Sequence, residues 1–227
     1  MDVGRAAAFF DVDHTVLTVN SGTEWVRHLR RTGQLPLHHL LRSVGWLVQY
    51  KAGMLDFDAM AVRAILPYVG RSVDDVRREV RTWYEAHVRP KISRHARAAI
   101  ERHRSQGDRV VLLTSATRFV SEPLAADLGV SDILCTEIHI RDGKITGEVE
   151  RPACYRVGKV RKAEAFAETY GIDLDESWFY SDSYTDLPML ERVGHPMVVN
   201  PDPRLLRVAR RRNWPILTWD EPIRRGA

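Results

Sequence analysis

Cysteine is scarce: Cys135 and Cys154 are the two thiols in 227 residues, with no C-x-x-C spacing between them. They read as free thiols of a reducing compartment rather than a disulfide framework. Long apolar runs are missing too. None approaches the roughly 18–20 residues that span a bilayer, so no membrane span is expected. The opening residues 1–5 run into the first apolar stretch without a signal-peptide core, which makes a cytoplasmic protein the expectation. There is no internal repeat, no low-complexity tract and no linker-like segment. Charge of one sign is also lacking. The net charge is +4, with arginines dispersed along the chain, a balance that suits an anionic substrate better than nucleic acid. What is present is 44% hydrophobic and 28% charged residues, enough for one domain with a sizeable insertion or for two small ones.

The chain is organised around residues 6–17. An apolar run, Ala7 to Phe10, stops at Asp11 and Asp13, with Thr15 just beyond. Such a run reads as a buried strand of a parallel sheet. Open α/β sheets place their chemistry at the C-terminal ends of such strands. In an extended backbone Asp11 and Asp13 point the same way. Two neighbouring carboxylates tolerate each other when a cation binds there or when one holds a proton.

Helical spacing follows for some seventy residues. Ser21 is the expected N-cap of the first helix, with Glu24 as its capping-box partner and Trp25, Val26 and Leu29 as the apolar stripe. Further helices are expected over 37–50, 56–68 and 72–87. The apolar segment 37–50 reads as a bundle helix rather than a membrane-surface one, because Arg42 is its one charge. A helical bundle inserted behind a catalytic strand is placed to act as a lid. The expected division is a core of 1–18 and 89–227 with a cap of 19–88. In the core, strands are expected over 109–113, up to Cys135, over 178–180, 196–199 and 214–218. Helices are expected over 93–106, 120–128, 159–170, 187–193 and 204–212. Alternation around Asp142-Gly143 signals a hairpin with a type I′ turn. The fold class is α/β, a doubly wound, mainly parallel, Rossmann-like sheet.

Three strand ends then carry polar groups: Asp11 and Asp13, Thr114 and Ser115, and Asp182 with Asp186. Lys159 opens a helix between the second and third. Each has a bland explanation alone, as a turn residue, an N-cap or a solvated lysine. Together they suit a divalent cation and a phosphate. Carboxylates hold Mg²⁺, which keeps a phosphate as a further ligand, although Mn²⁺ takes similar oxygens. Thr114 and backbone N–H groups at a helix N-terminus bind phosphate oxygens.

Phe10-Asp11-Val12-Asp13-His14-Thr15, Leu113-Thr114-Ser115, Lys159 and Asp182-Ser183-x-x-Asp186 resemble the four motifs of the haloacid dehalogenase superfamily. The inserted bundle resembles its C1-type cap, and the whole chain resembles the subfamily that contains the phosphoserine phosphatases. The resemblance implies that Asp11 is the nucleophile and that Asp13 is the general acid and base, its backbone carbonyl also on the metal. It implies that Asp11, Asp13 and Asp182 hold Mg²⁺, that Thr114 and Ser115 lie at the phosphate, that Lys159 shields charge, and that Asp186 supports the metal shell or positions Lys159. The implied reaction is hydrolysis of a small phosphomonoester through an aspartyl-phosphate.

Phosphoserine enzymes carry a glutamate soon after the first motif that reads the substrate ammonium. By spacing, the corresponding place here is near Asn20, with Glu24 one helical turn later. The expected substrate-selecting residues are therefore Asn20, Ser21, Glu24, Trp25 and Arg63. The substrate is expected to be phosphoserine or a related amino-alcohol phosphate such as histidinol phosphate. The alternative is a catalytically silent phosphate-binding scaffold. A nucleic-acid or membrane role for the basic run Arg204, Arg207, Arg210, Arg211 and Arg212 is set aside in favour of a solvated amphipathic helix. The expected partner is thus a small phosphorylated metabolite, with no nucleic acid, and the chain is expected to be a monomer or homodimer.

Overall fold

Ala7–Phe10 forms strand β1, and all four of its residues are buried. In this computed structural model, which describes residues 6–34 and 57–219, β1 lies between β2 (Arg109–Thr117) and β6 (Trp178–Ser181) and runs parallel to both. With β3 (Asp132–Thr136), β7 (His195–Val199) and β8 (Ile216–Leu217), they make a six-stranded parallel sheet in the order β3-β2-β1-β6-β7-β8. A strand covered on both faces has no polar side to alternate with. Ala8 and Phe10 accordingly face one core with Val110, Leu112 and Tyr180. Ala7 and Phe9 face another with Val111, Leu113 and Phe179.

Helices fill both layers. Between β1 and β2 come α1 (Ser21–Arg31), α2 (Phe57–Ile65), α3 (Val73–His87) and α4 (Arg94–Ser105). After β2 come α5 (Arg118–Leu128), α6 (Val157–Tyr170), α7 (Leu187–Leu190) and α8 (Pro203–Arg212). Trp83 of α3, Ile100 of α4 and Leu124 of α5 pack into the first core. Phe166 of α6, Leu190 of α7 and Leu205 of α8 pack into the second. The doubly wound α/β sheet is as expected. The helix expected over 37–50 lies outside the described residues.

Several contacts tie the segment after β1 to the sheet layer. Tyr84 on α3 donates its hydroxyl to Asp127 on α5 at 2.8 Å. A hairpin, β4 (Ile138–Arg141) and β5 (Lys144–Val149), bonds to the stretch before α3: Gly70 N–H donates to the Ile145 carbonyl at 2.9 Å and Val73 N–H to that of Gly143 at 2.9 Å. Its turn residues Asp142 and Gly143 have φ of 51° and 70°, the two positive values a type I′ turn requires.

Several boundaries differ from expectation, among them the short helix expected over 187–193, which is Leu187–Leu190. The N-cap of α1 is Asn20, whose side chain accepts from Thr23 N–H, and not Ser21, which is the first helical residue. Strand β2 continues to Thr117, because beyond an irregularity Thr117 pairs with Thr136 of β3. Strand β8 shrinks to Ile216–Leu217, where Pro215 just before it has no N–H for a ladder. Both cysteines are free and buried. Helix α8 buries Leu205 and Ala209 and exposes its arginines, and Arg212 pairs with Glu191, as a solvated amphipathic helix does.

Candidate active site

The end of β1 sets the first group. Asp11 N–H still bonds into the sheet, to the Tyr180 carbonyl at 2.9 Å. The chain then makes a wide turn over Val12–Val16, with Val16 N–H on the Asp11 carbonyl at 3.3 Å and Leu17 N–H on that of Val12 at 2.8 Å. His14 takes a left-handed conformation, φ 58°, which non-glycine residues adopt sparingly. The turn carries the start of α1 back over the strand end. There Ser21 N–H donates to Asp13 Oδ1 at 2.8 Å and Asn20 Nδ2 to Asp13 Oδ2 at 2.9 Å.

Lys159 enters from the first turn of α6 and is 2% exposed. Its Nζ donates to Asp11 Oδ1 at 2.6 Å and to Asp186 Oδ2 at 2.7 Å. Ser181 Oγ donates to the same Asp186 oxygen at 2.7 Å. Gly158 makes this possible: a Cβ there would stand 1.9 Å from the Ala153 carbonyl oxygen, so no other residue lets α6 begin so close to the preceding loop. The loop after β6 carries Asp182, half-buried, and Asp186, buried. Thr114 is buried near the end of β2, where its Oγ1 accepts from Ala116 N–H at 3.1 Å. Ser115 beside it is half-buried, and its carbonyl accepts from Thr136 Oγ1 at 2.9 Å.

The electrostatics follow from burial. Desolvation pushes the Asp11 carboxyl up to about 7; Asp186 and Asp13 push the same way and Lys159 pulls against them. Burial also raises Asp13, opposed by its hydrogen bond from Ser21. Asp182 is raised well above the ordinary carboxylate range by burial first, then by Asp11 and Asp186. Burial works to discharge Lys159, but Asp11 and Asp186 outweigh it, so its ammonium is held more firmly than in water. One ammonium therefore serves more buried negative charge than it balances. A divalent cation with oxygen ligands fits that surplus. Among the described residues no three His, Cys, Asp or Glu side chains form a metal cage. What remains is an open set of oxygens, to which the neighbouring carboxylates of Asp11 and Asp182 belong. Mg²⁺ favours such a set because it dehydrates reluctantly.

Asp11, Lys159 and Asp186 are thus brought into one bonded cluster, with Asp13 fixed beside it by Asn20 and Ser21. Other expected residues are engaged elsewhere. Glu24 pairs with Arg27 along α1. Trp25 donates Nε1 to Tyr68 Oη at 2.8 Å and lies edge-on to Trp83. Arg63 is exposed in the last turn of α2. Sequence reasoning missed Ser181 and Tyr68, since nothing in spacing distinguishes a serine that bonds five residues ahead. It also missed how α2 meets the loop before α6: Phe57 stacks on Tyr155 at 4.2 Å, and Ala153 N–H donates to Asp58 Oδ1 at 2.9 Å.

The family model of haloacid dehalogenase-like hydrolases matches residues 8–191. The chain belongs to this family. A Streptomyces azureus protein named for inhibition of morphological differentiation is 36% identical over 97% of this chain and 80% of its own length. A histidinol-phosphatase of Neisseria meningitidis serogroup C is 27% identical over 93% of this chain and 98% of its own. Among solved structures, a Bordetella pertussis protein of unknown function superposes with a TM-score of 0.86 at 31% identity, covering 94% of this chain and 98% of its own. A phospho-aspartyl intermediate analogue of phosphoserine phosphatase superposes with a TM-score of 0.68 at 17% identity, covering 96% and 95%, a likeness of fold. This haloacid dehalogenase-family chain is a hydrolase.

Proposed function

We propose that this hydrolase is a Mg²⁺-dependent phosphatase of small phosphomonoesters, working through an aspartyl-phosphate on Asp11. The observation that carries the reading is the buried Lys159 ammonium held between Asp11 and Asp186. With Lys159 on Oδ1, the Asp11 Oδ2 is left to attack phosphorus. The new Oδ2–P bond forms as the ester P–O bond breaks. Asp13 gives its proton to the departing alkoxide, then takes one from the water that cleaves the acyl phosphate and frees inorganic phosphate. Lys159 offsets charge building on the phosphoryl oxygens, and Asp186 with Ser181 keeps the lysine in place. Thr114, with a hydroxyl hydrogen to donate, and Ser115 hold the phosphate. Asp11, Asp182 and the Asp13 carbonyl would hold Mg²⁺, which would supply further charge neutralisation.

Residues 19–88 act as a cap over this site and choose the leaving group. An amino-alcohol phosphate is the favoured class, with histidinol phosphate and phosphoserine its leading members; the histidinol-phosphatase relative supports it. The test is phosphate release from an aryl phosphate and a panel of natural phosphomonoesters, with Mg²⁺ and with chelator, beside Asp11→Asn. Turnover that needs Mg²⁺ and vanishes in Asp11→Asn is expected. A folded, Mg²⁺-binding protein that turns over nothing would overturn the reading in favour of a silent scaffold.

A further inference from the structure

Asn20 links the start of α1 to the turn after β1, beside the bond from Ser21 N–H to Asp13. Its Oδ1 caps α1, accepting from Thr23 N–H at 2.9 Å and Thr23 Oγ1 at 3.0 Å. Its Nδ2 donates to Asp13 Oδ2 at 2.9 Å. Both ends of the amide are used, so the side chain has little left for a substrate. The other Asp13 oxygen takes Ser21 N–H at 2.8 Å. Ser21 adds a side-chain hydrogen bond to Asp13, so all of these donors belong to the start of α1, where the helix dipole also favours an acid.

We infer that Asn20 is a positioning residue for Asp13, which ties the orientation of the proton-donating carboxyl to the first turn of α1. This rests on the phosphatase reading and adds to it. The place where phosphoserine enzymes read an ammonium is used here to aim the acid. A tilt or slide of helix α1 moves the Asn20 amide, and a moved amide gives up its bond to Asp13 Oδ2. The residue touches neither phosphorus nor the leaving oxygen in this scheme. Its effect passes through Asp13 and falls on the step in which the leaving alkoxide is protonated.

Leaving groups separate this role from a structural one. An alkoxide needs a proton to depart, whereas a nitrophenolate leaves without one. The value of kcat/KM reports the steps through transfer to Asp11, so it isolates the acid role from the later hydrolysis. Asn20→Asp keeps the capping acceptor and the shape but replaces the donor by a carboxylate. Asn20→Ser also caps a helix but is too short to hold Asp13 in the same way. Both are measured in the full chain with Mg²⁺, on an alkyl phosphomonoester and on p-nitrophenyl phosphate, with melting temperatures as a check on folding. The expected result for Asn20→Asp is a fall of about 100-fold in kcat/KM on the alkyl ester with a change within about 3-fold on the aryl ester, the span that general acid catalysis supplies. Asn20→Ser should shift the same ratio in the same direction, and Asp13→Asn should do so more strongly.

Equal losses on both esters in the two Asn20 variants would overturn the inference and leave the phosphatase reading intact. Unchanged kinetics on both esters would overturn it equally. If Asn20→Asp does not fold, Asn20→Ser decides alone. A wild-type protein inactive on both esters would defeat the phosphatase reading and this inference with it.

Discussion

A buried ammonium shared by two carboxylates makes Lys159 the most exposed point of failure at the scale of single residues. Replacing it by methionine leaves Asp11 and Asp186 buried without their counter-charge, a class of change that costs about 3–5 kcal/mol. Lys159→Met should therefore lose turnover and melt well below the wild type; a variant that melts with the wild type would show that the ion pair does not hold this corner of the fold. Asp11 gives a second expectation. Its carboxyl is raised from 3.8 to about 7, so the metal-free folded state holds that proton more tightly than the unfolded chain does. On this group, stability falls as pH rises through the window from 3.8 to about 7. Lys159 does not change that trend, because its raised affinity keeps it charged throughout the window. Mg²⁺ must displace the same proton, so the rise in melting temperature that Mg²⁺ produces should grow from about pH 5 to about pH 8. A rise that is flat with pH would contradict the assignment of Asp11 to the metal.

At the scale of elements, the strands and helices were legible because their periodicities are clean. Four apolar residues ending in an acid mark β1, and Asp142-Gly143 marks the hairpin turn. The misplacements have local causes. Asn20 and Ser21 are both good caps; Asn20 takes the role through Thr23 N–H on its Oδ1, while Ser21 N–H goes to Asp13, a contact made after the chain turns back. The contacts of the hairpin with the segment before α3 were not legible, since backbone bonds between distant segments leave no mark in composition. They carry their own expectation. Gly147 has φ 87°, and a Cβ there would stand 2.8 Å from Val69 Cγ2. Gly147→Ala should lower the unfolding free energy, read by chemical denaturation, by more than the roughly 1 kcal/mol of a helix-interior glycine change, while leaving Lys159 and Asp11 in place. Tyr84→Phe, which removes the hydroxyl bonded to Asp127, should cost about 1 kcal/mol by chemical denaturation. A larger loss for Tyr84→Phe than for Gly147→Ala would reverse the relative weight of the two ties.

At the scale of the whole molecule, the site was legible as an inventory and not as an arrangement. Asp11, Asp13, Asp182 and Asp186 follow strand ends, Lys159 stands in the first turn of a helix and Thr114 near the end of β2, and their types and spacing marked them as candidates. What Lys159 bonds to, or that Asn20 faces inward to Asp13, depends on which strands are neighbours. That in turn depends on β1, which is central in space and first in sequence. Its two edges wait for partners far downstream: Ala7 pairs with Arg109 on one side and Ala8 with Trp178 on the other. Loop closures of that length are slow to gain and favour late assembly. A chain growing from its N-terminus thus carries Asp11 at the end of a strand with one bare edge until β6 emerges. During refolding, catalytic competence should return with the last cooperative phase, in step with the burial of Phe179 and Tyr180, and a fragment ending before Trp178 should present β1 as an unpaired, aggregation-prone edge.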